Sequence, residues 1–139
     1  MIKLLFSLSF LLCGIGVLAQ QVNDLKITPS TIKIMDNIER VILDYSISED
    51  LGLNQMVAPP NWTEPIVALE FEIRGIVLQG VLGLEFAGGT HLFVKNDGFI
   101  IPKNTKVRIF NAGEEQLHII EVLRPAYQER YTMRFDSFE

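Results

Sequence analysis

The chain has 139 residues, a length that suits one domain with its own core. Apolar residues make up 48% and charged residues 21%, which excludes a disordered or collagen-like chain. The formal net charge is −5 and no Lys/Arg cluster offsets it, which argues against a nucleic-acid partner.

Residues 1–19 read as a secretory signal peptide, outside the fold. Lys3 supplies the positive start, residues 4–17 are almost unbroken apolar sequence, and Val17-Leu18-Ala19 offers a cleavage site. The mature chain would then begin near Gln20. A membrane anchor is the competing reading, but a spanning helix takes about 20 apolar residues. A lipoprotein would use Cys13, yet Leu12 stands where a small residue normally precedes such a cysteine. Cleavage removes Cys13, the only cysteine, and with it any thiol, disulfide or thiolate ligand. Loss of Lys3 takes the net charge to −6. The expected product is secreted or periplasmic, with no membrane association after cleavage.

Residues 20–65 read as N-terminal strands and a loop leading into a barrel. Alternating Leu25/Ile27 and Ile32/Ile34 suggest two short strands separated at Pro29, because proline interrupts a ladder. Asp36 and Glu39 have the spacing of a capping box. Ile38, Val41, Ile42 and Tyr45 follow one helical face, so a short helix over 37–45 is one reading. A strand over 41–47 is the other, since β-branched residues are frequent there. Residues 48–65 contain three prolines and read as a loop. Asn61-Trp62-Thr63 fits the N-glycosylation triplet. Trp62, the only tryptophan, either plugs the end of the core or lines a ligand mouth.

Residues 66–125 carry the regular pattern. Two strands meet at Gly75, with Glu70, Glu72 and Arg74 on one face and Phe71 and Ile73 on the other. From residue 80, short apolar runs alternate with turns at 88–89, 97–98 and 111–113. Strands spaced by roughly 8–12 residues with such turns indicate an all-β sandwich or barrel. Residues 126–139 place Tyr127, Tyr131, Phe135 and Phe138 among charges and should pack back on the barrel. No nucleophile elbow, phosphate-cradling glycine loop or H-E-x-x-H is present.

The stretch D-G-F-I-I-P-K-N-T-K-V-R-I-F-N at 97–111 resembles the second motif of the cupin superfamily. It aligns through Pro102 and Asn111. Asn104 replaces the glycine of P-x-G, and Val107 replaces the metal-binding histidine. In the first motif the closing glycine matches Gly80, while the glutamate position falls on Ile73, next to Glu72. The two histidine positions fall within 66–69, where there is no histidine. The close at 117–127 is similar to the last strand and exit of sugar-isomerase-like cupins. The resemblance implies a cupin-type jelly-roll β-barrel over about residues 66–125.

Carrying the cupin register over, Ile73, Gly75, Val77, Val107, Ile109 and Asn111 point inward, and Glu72, Arg74 and Arg108 point outward. A one-residue slip reverses all of these assignments. The run Glu70, Glu72, Arg74 is then either an outer charged strip or a charged pocket.

The resemblance implies a barrel without the usual metal ligands, binding a small molecule, possibly sugar-derived, or vestigial. Trp62, Glu72, Arg74 and Arg108 are the candidate ligand contacts, and no metal or other cofactor is expected. The alternative is a metal-independent carbohydrate isomerase or epimerase, with His118 as base, Tyr127 as acid and an arginine as clamp. A third reading is a metal site built from unusual ligands, drawing on His91, His118, Glu70 and Glu72. A homodimer is expected from the resemblance.

Overall fold

The computed structural model describes residues 25–32 and 40–139. The expected signal peptide and the expected capping-box residues Asp36 and Glu39 lie outside the described residues. Among the described residues eleven strands follow one another. They are β1 (Ser30–Ile32), β2 (Val41–Asp44), β3 (Gly52–Ala58), β4 (Ile66–Leu69), β5 (Glu72–Gln79) and β6 (Leu82–Phe86), then β7 (Gly89–Phe93), β8 (Gly98–Ile101), β9 (Arg108–Asn111), β10 (Leu117–Arg124) and β11 (Thr132–Phe135). A 3-10 turn at Glu129–Tyr131 precedes β11. Among the described residues no helix is long and apolar enough to cross a membrane.

One wall is a six-stranded sheet ordered β1-β2-β3-β10-β5-β8. The other is built from β7-β6-β9 and from β11-β4. Antiparallel bridges Thr63↔Phe110 and Val67↔Val107 join these two pieces. Val67 and Val107 exchange both backbone hydrogen bonds at 2.8 Å. The result is an all-β jelly roll whose barrel is not closed by one continuous ladder.

Inward residues recur with period two and meet between the walls. Val77, Leu82, Leu84, Ile101, Val107, Leu117 and Ile119 are fully buried there. Gly75 lies within β5, so the two strands expected to meet there are one. A Cβ at Gly75 would collide with the Phe99 ring and the Ile120 carbonyl oxygen, and the absent side chain makes room for that ring. Gly80 has φ +78° in the turn after β5, a conformation that favours glycine.

Three local expectations differ from the structure. Of the two readings of this stretch, the strand over 41–47 holds for residues 41–44 and the helix over 37–45 does not, because Ile42, Leu43 and Asp44 of β2 pair with Met56, Gln55 and Asn54. Tertiary pairing there outweighs the helical spacing. Within 48–65, residues 52–58 form β3, which lies at the centre of the large sheet between β2 and β10. Only the second of the two N-terminal patches is a strand, since 25–29 are irregular and 30–32 form β1.

Candidate functional site

The site is set by an irregularity in the pattern of β10. Its inward residues are Leu117, Ile119, Glu121 and Leu123, all buried. An acid thus occupies a position that alternation sends into the core. Glu121 is 6% exposed and pairs across the sheet with Asn54 of β3 and Gly75 of β5. With its amide assigned so that both oxygen and nitrogen find partners, Asn54 donates to Asp44 Oδ1 at 3.2 Å. Among the described residues no hydrogen bond reaches the Glu121 carboxyl.

Glu121 lines a cavity of about 60 Å³ between the walls. Apolar residues, among them Met56, Val67, Phe71, Ile73 and Ile109, form most of its surface. Arg40, Glu64, Tyr127, Thr132 and Arg134 join Glu121 to give it a polar end. They come from several places along the chain. Arg40 precedes β2, Glu64 precedes β4, Tyr127 follows β10, and Thr132 and Arg134 lie on β11. The C-terminal segment reaches the cavity because β11 pairs with β4, Thr132 opposite Leu69 and Phe135 opposite Ile66.

The charges are paired off in two groups. Arg40 and Glu64 form a buried ion pair, and the Arg40 guanidinium lies 5.0 Å from the Trp62 ring centre. At the rim, Arg134 Nη1 is 2.6 Å from Glu129 Oε1, and the Tyr127 hydroxyl donates to the other Glu129 oxygen. Burial lowers the Arg40 pKa and raises that of Glu64, with their mutual attraction opposing both shifts. Burial pushes Glu121 up to about 7, against the pull of Arg40. Burial and the hydrogen bond to Glu129 raise the Tyr127 pKa, and Arg134 and Tyr127 hold Glu129 below the usual carboxylate range. The buried Thr132 hydroxyl has no partner among the described residues.

The residues singled out in the sequence are dispersed. Tyr127 is in the cavity, edge-on to Phe71 at 6.1 Å. His118 faces the opposite side of the sheet and contacts Gln55 Nε2, so it shares no cavity with Tyr127. Glu72 and Arg74 pair with each other on the outer side at 2.6 Å. Arg108 pairs with Glu85 at 2.9 Å, outside this cavity. Trp62 is 1% exposed and lies beneath Arg40, away from the cavity lining. Arg40, Glu64, Glu121 and Arg134 were not singled out. Glu121 carried a readable signal, an acid in the inward series of an apolar strand. Arg40 and Glu64 lie outside regular strands, where no alternation marks them.

A cupin metal site would need nitrogen and carboxylate donors in the lumen. Val107 and Ile73 occupy two of the corresponding positions and are buried, and residues 66–69 are buried and apolar. His91 is exposed on β7, edge-on to Phe86 at 5.9 Å. Among the described residues no three His, Cys, Asp or Glu side chains come together to hold an ion. The residues at these cupin ligand positions supply no such donors.

No protein-family model and no curated protein matches the sequence. Solved structures do match. The cupin domain of Schizosaccharomyces pombe Cnp3 superposes with TM-score 0.60 at 15% identity, over 69% of this chain and 68% of that one. KdgF from Halomonas sp. gives TM-score 0.59 at 16% identity, over 70% of this chain and 89% of that one. A sugar phosphate isomerase of the cupin superfamily from Silicibacter pomeroyi gives 0.55 at 18% identity, over 62% of this chain and 59% of that one. The chain has a cupin fold. At these identities the likeness speaks for the fold and leaves function to the site.

Proposed function

We propose that the chain is an exported cupin-type module that binds a small organic molecule in the barrel lumen without a metal. The observation that carries this is the cavity's polar end, where the buried Glu121 carboxyl lines the lumen and the Thr132 hydroxyl has no hydrogen-bond partner among the described residues. Buried polar groups in a folded protein ordinarily have hydrogen-bond partners, so a hydroxyl without one beside a cavity favours an occupant that supplies it. The cavity has room for roughly four waters, or for the functional end of a larger ligand such as a sugar derivative. Apolar walls with a few convergent polar groups are the usual make-up of such sites.

The test is a thermal-shift screen of the mature protein against neutral sugars, sugar acids and short carbonyl compounds. A ligand that binds only the folded state raises the melting temperature. Thr132→Phe, which fills the cavity from its β11 side, should abolish the shift. A shift equally large in that variant would place the ligand elsewhere and refute the reading.

A second reading is catalytic, a metal-independent isomerase or epimerase. It is favoured by one observation, that Glu121 and Tyr127 line the same cavity. An acid titrating near neutrality and a phenol are a workable pair for moving a proton. Exchange of carbon-bound hydrogen into a bound sugar from deuterated water would support it. Binding without exchange would leave the module non-catalytic.

A further inference from the structure

We propose that Glu121 recognises the ligand as a neutral acid, donating its carboxyl proton to the carbonyl oxygen of a small uncharged molecule. This rests on the reading of the lumen as a ligand site and goes beyond it by naming the contacting group and the ligand chemistry.

Geometry carries it. Glu121 is 6% exposed and lines the cavity, and its cross-strand neighbour Asn54 is committed to Asp44. The cations around it are also committed. Arg40 pairs with Glu64 and lies over Trp62, and Arg134 pairs with Glu129. The Tyr127 hydroxyl is committed as well, donating its hydrogen bond to Glu129. Among the described residues, these are the ionisable groups that face the cavity or its rim from the segments around it. Arg40 comes from before β2, Glu64 from before β4, Tyr127 from after β10, Glu129 from the 3-10 turn and Arg134 from β11. β5 contributes only apolar Ile73 to the lining.

Charge then selects the ligand. Among the described residues Arg40 and Arg134 balance Glu64 and Glu129, so a protonated Glu121 leaves that set neutral. An ionised Glu121 would add one uncompensated negative charge in a buried place, which is costly. A neutral carboxyl is a donor that needs an acceptor, and a carbonyl oxygen supplies one. The short aliphatic part of such a ligand would lie against Ile73, Met56 and Leu123. Burial, which pushes the Glu121 carboxyl up to about 7, keeps this form populated near neutrality.

Butanone and ethylammonium are the probes, followed through the methyl signals of Ile42, Met56, Ile73 and Ile109 by NMR titration. With only the protonated form competent, the wild-type affinity for butanone should fall about 30-fold between about pH 5.5 and about pH 8.5. Glu121→Gln, neutral and still a donor, should bind butanone equally at both pH values. Butanone that shifts the lumen methyls with the same affinity at both pH values overturns the inference and leaves the lumen site standing. Ethylammonium binding that tightens as pH rises overturns it too, since the carboxylate would then be the recognising form. A Gln variant that folds but no longer binds butanone has the same force. If neither probe shifts these methyls and the thermal screen is empty, the lumen reading fails and the inference with it.

Discussion

Arg40 lies 5.0 Å from the centre of the Trp62 ring and pairs with Glu64. One buried cation therefore links the core plug to the cavity's polar end. Trp62 is held at 1% exposure beneath it, in the chain that leads into β4. The arrangement makes the polar end of the cavity part of the barrel's stability.

Breaking that pair from one side should be costly. Arg40→Met leaves Glu64 buried without its cation, and such losses amount to about 3–5 kcal/mol. The double variant Arg40→Met/Glu64→Gln removes both charges and should recover most of the loss. Urea unfolding of the two variants decides it. Equal destabilisation of single and double variants would mean that packing of Arg40 on Trp62, not charge, matters there.

Stability should fall as pH rises. Glu121 has a folded pKa of about 7 against an ordinary value of 4.5. Its contribution is fully present below the ordinary value and is lost as pH climbs through about 7, by roughly 3 kcal/mol in all. Glu64 is shifted in the same direction and adds to the trend. Glu129 is shifted downward and acts only on the acid side. Melting temperatures measured from about pH 5 to about pH 8.5 should decline for the wild type and decline less for Glu121→Gln. Parallel curves would contradict the assignment.

Gly75 should tolerate no side chain. Alanine there meets the Phe99 ring and the Ile120 carbonyl oxygen, and overpacking of this kind costs about 1–3 kcal/mol. Gly75→Ala/Phe99→Leu should recover part of the loss. Thermal unfolding of both variants tests this, and an unperturbed single variant would mean that β5 and β8 do not pack this closely.

Installing the cupin histidine should not install a metal. Val107→His buries an imidazole at a fully buried position with apolar Ile73 and Val67 nearby in the lumen. An unpaired buried polar group costs about 1–3 kcal/mol. Metal analysis after exposure to iron, nickel, manganese and zinc should find no stoichiometric ion. One tightly held ion per chain would show that other donors reach that position.

The cupin architecture was legible because β-branched runs, turn glycines and the Pro102 to Asn111 spacing all agree on it. The inward set was legible for the same reason, since Gly80 anchors the register and alternation does the rest. β3 was not. Leu53, Gln55 and Val57 alternate with Asn54, Met56 and Ala58, but the flanking prolines and the polar Asn54 and Gln55 obscure the pattern. The sequence left helix and strand open around 37–47 because period and propensity conflict in a short segment, and pairing with β3 settled it as strand for Val41–Asp44. The cavity's polar end was hidden for a different reason. Arg40, Glu64, Glu121, Tyr127 and Arg134 span the chain from one end to the other and converge only through β10 and the β11–β4 pairing. His118 attracted notice as a histidine, yet its even-numbered position on β10 sends it to the outer side while Glu121 goes in.

The most direct measurement is methyl NMR mapping of the first compound to emerge from the thermal screen. The lumen reading predicts shifts at Ile42, Met56, Ile73, Ile109 and Leu123, all lining the cavity, and none at Leu53, Ile76, Ile100 or Val122 on the exposed side of the large sheet. Shifts confined to that exposed side would contradict it and move the working surface of this barrel to its exterior.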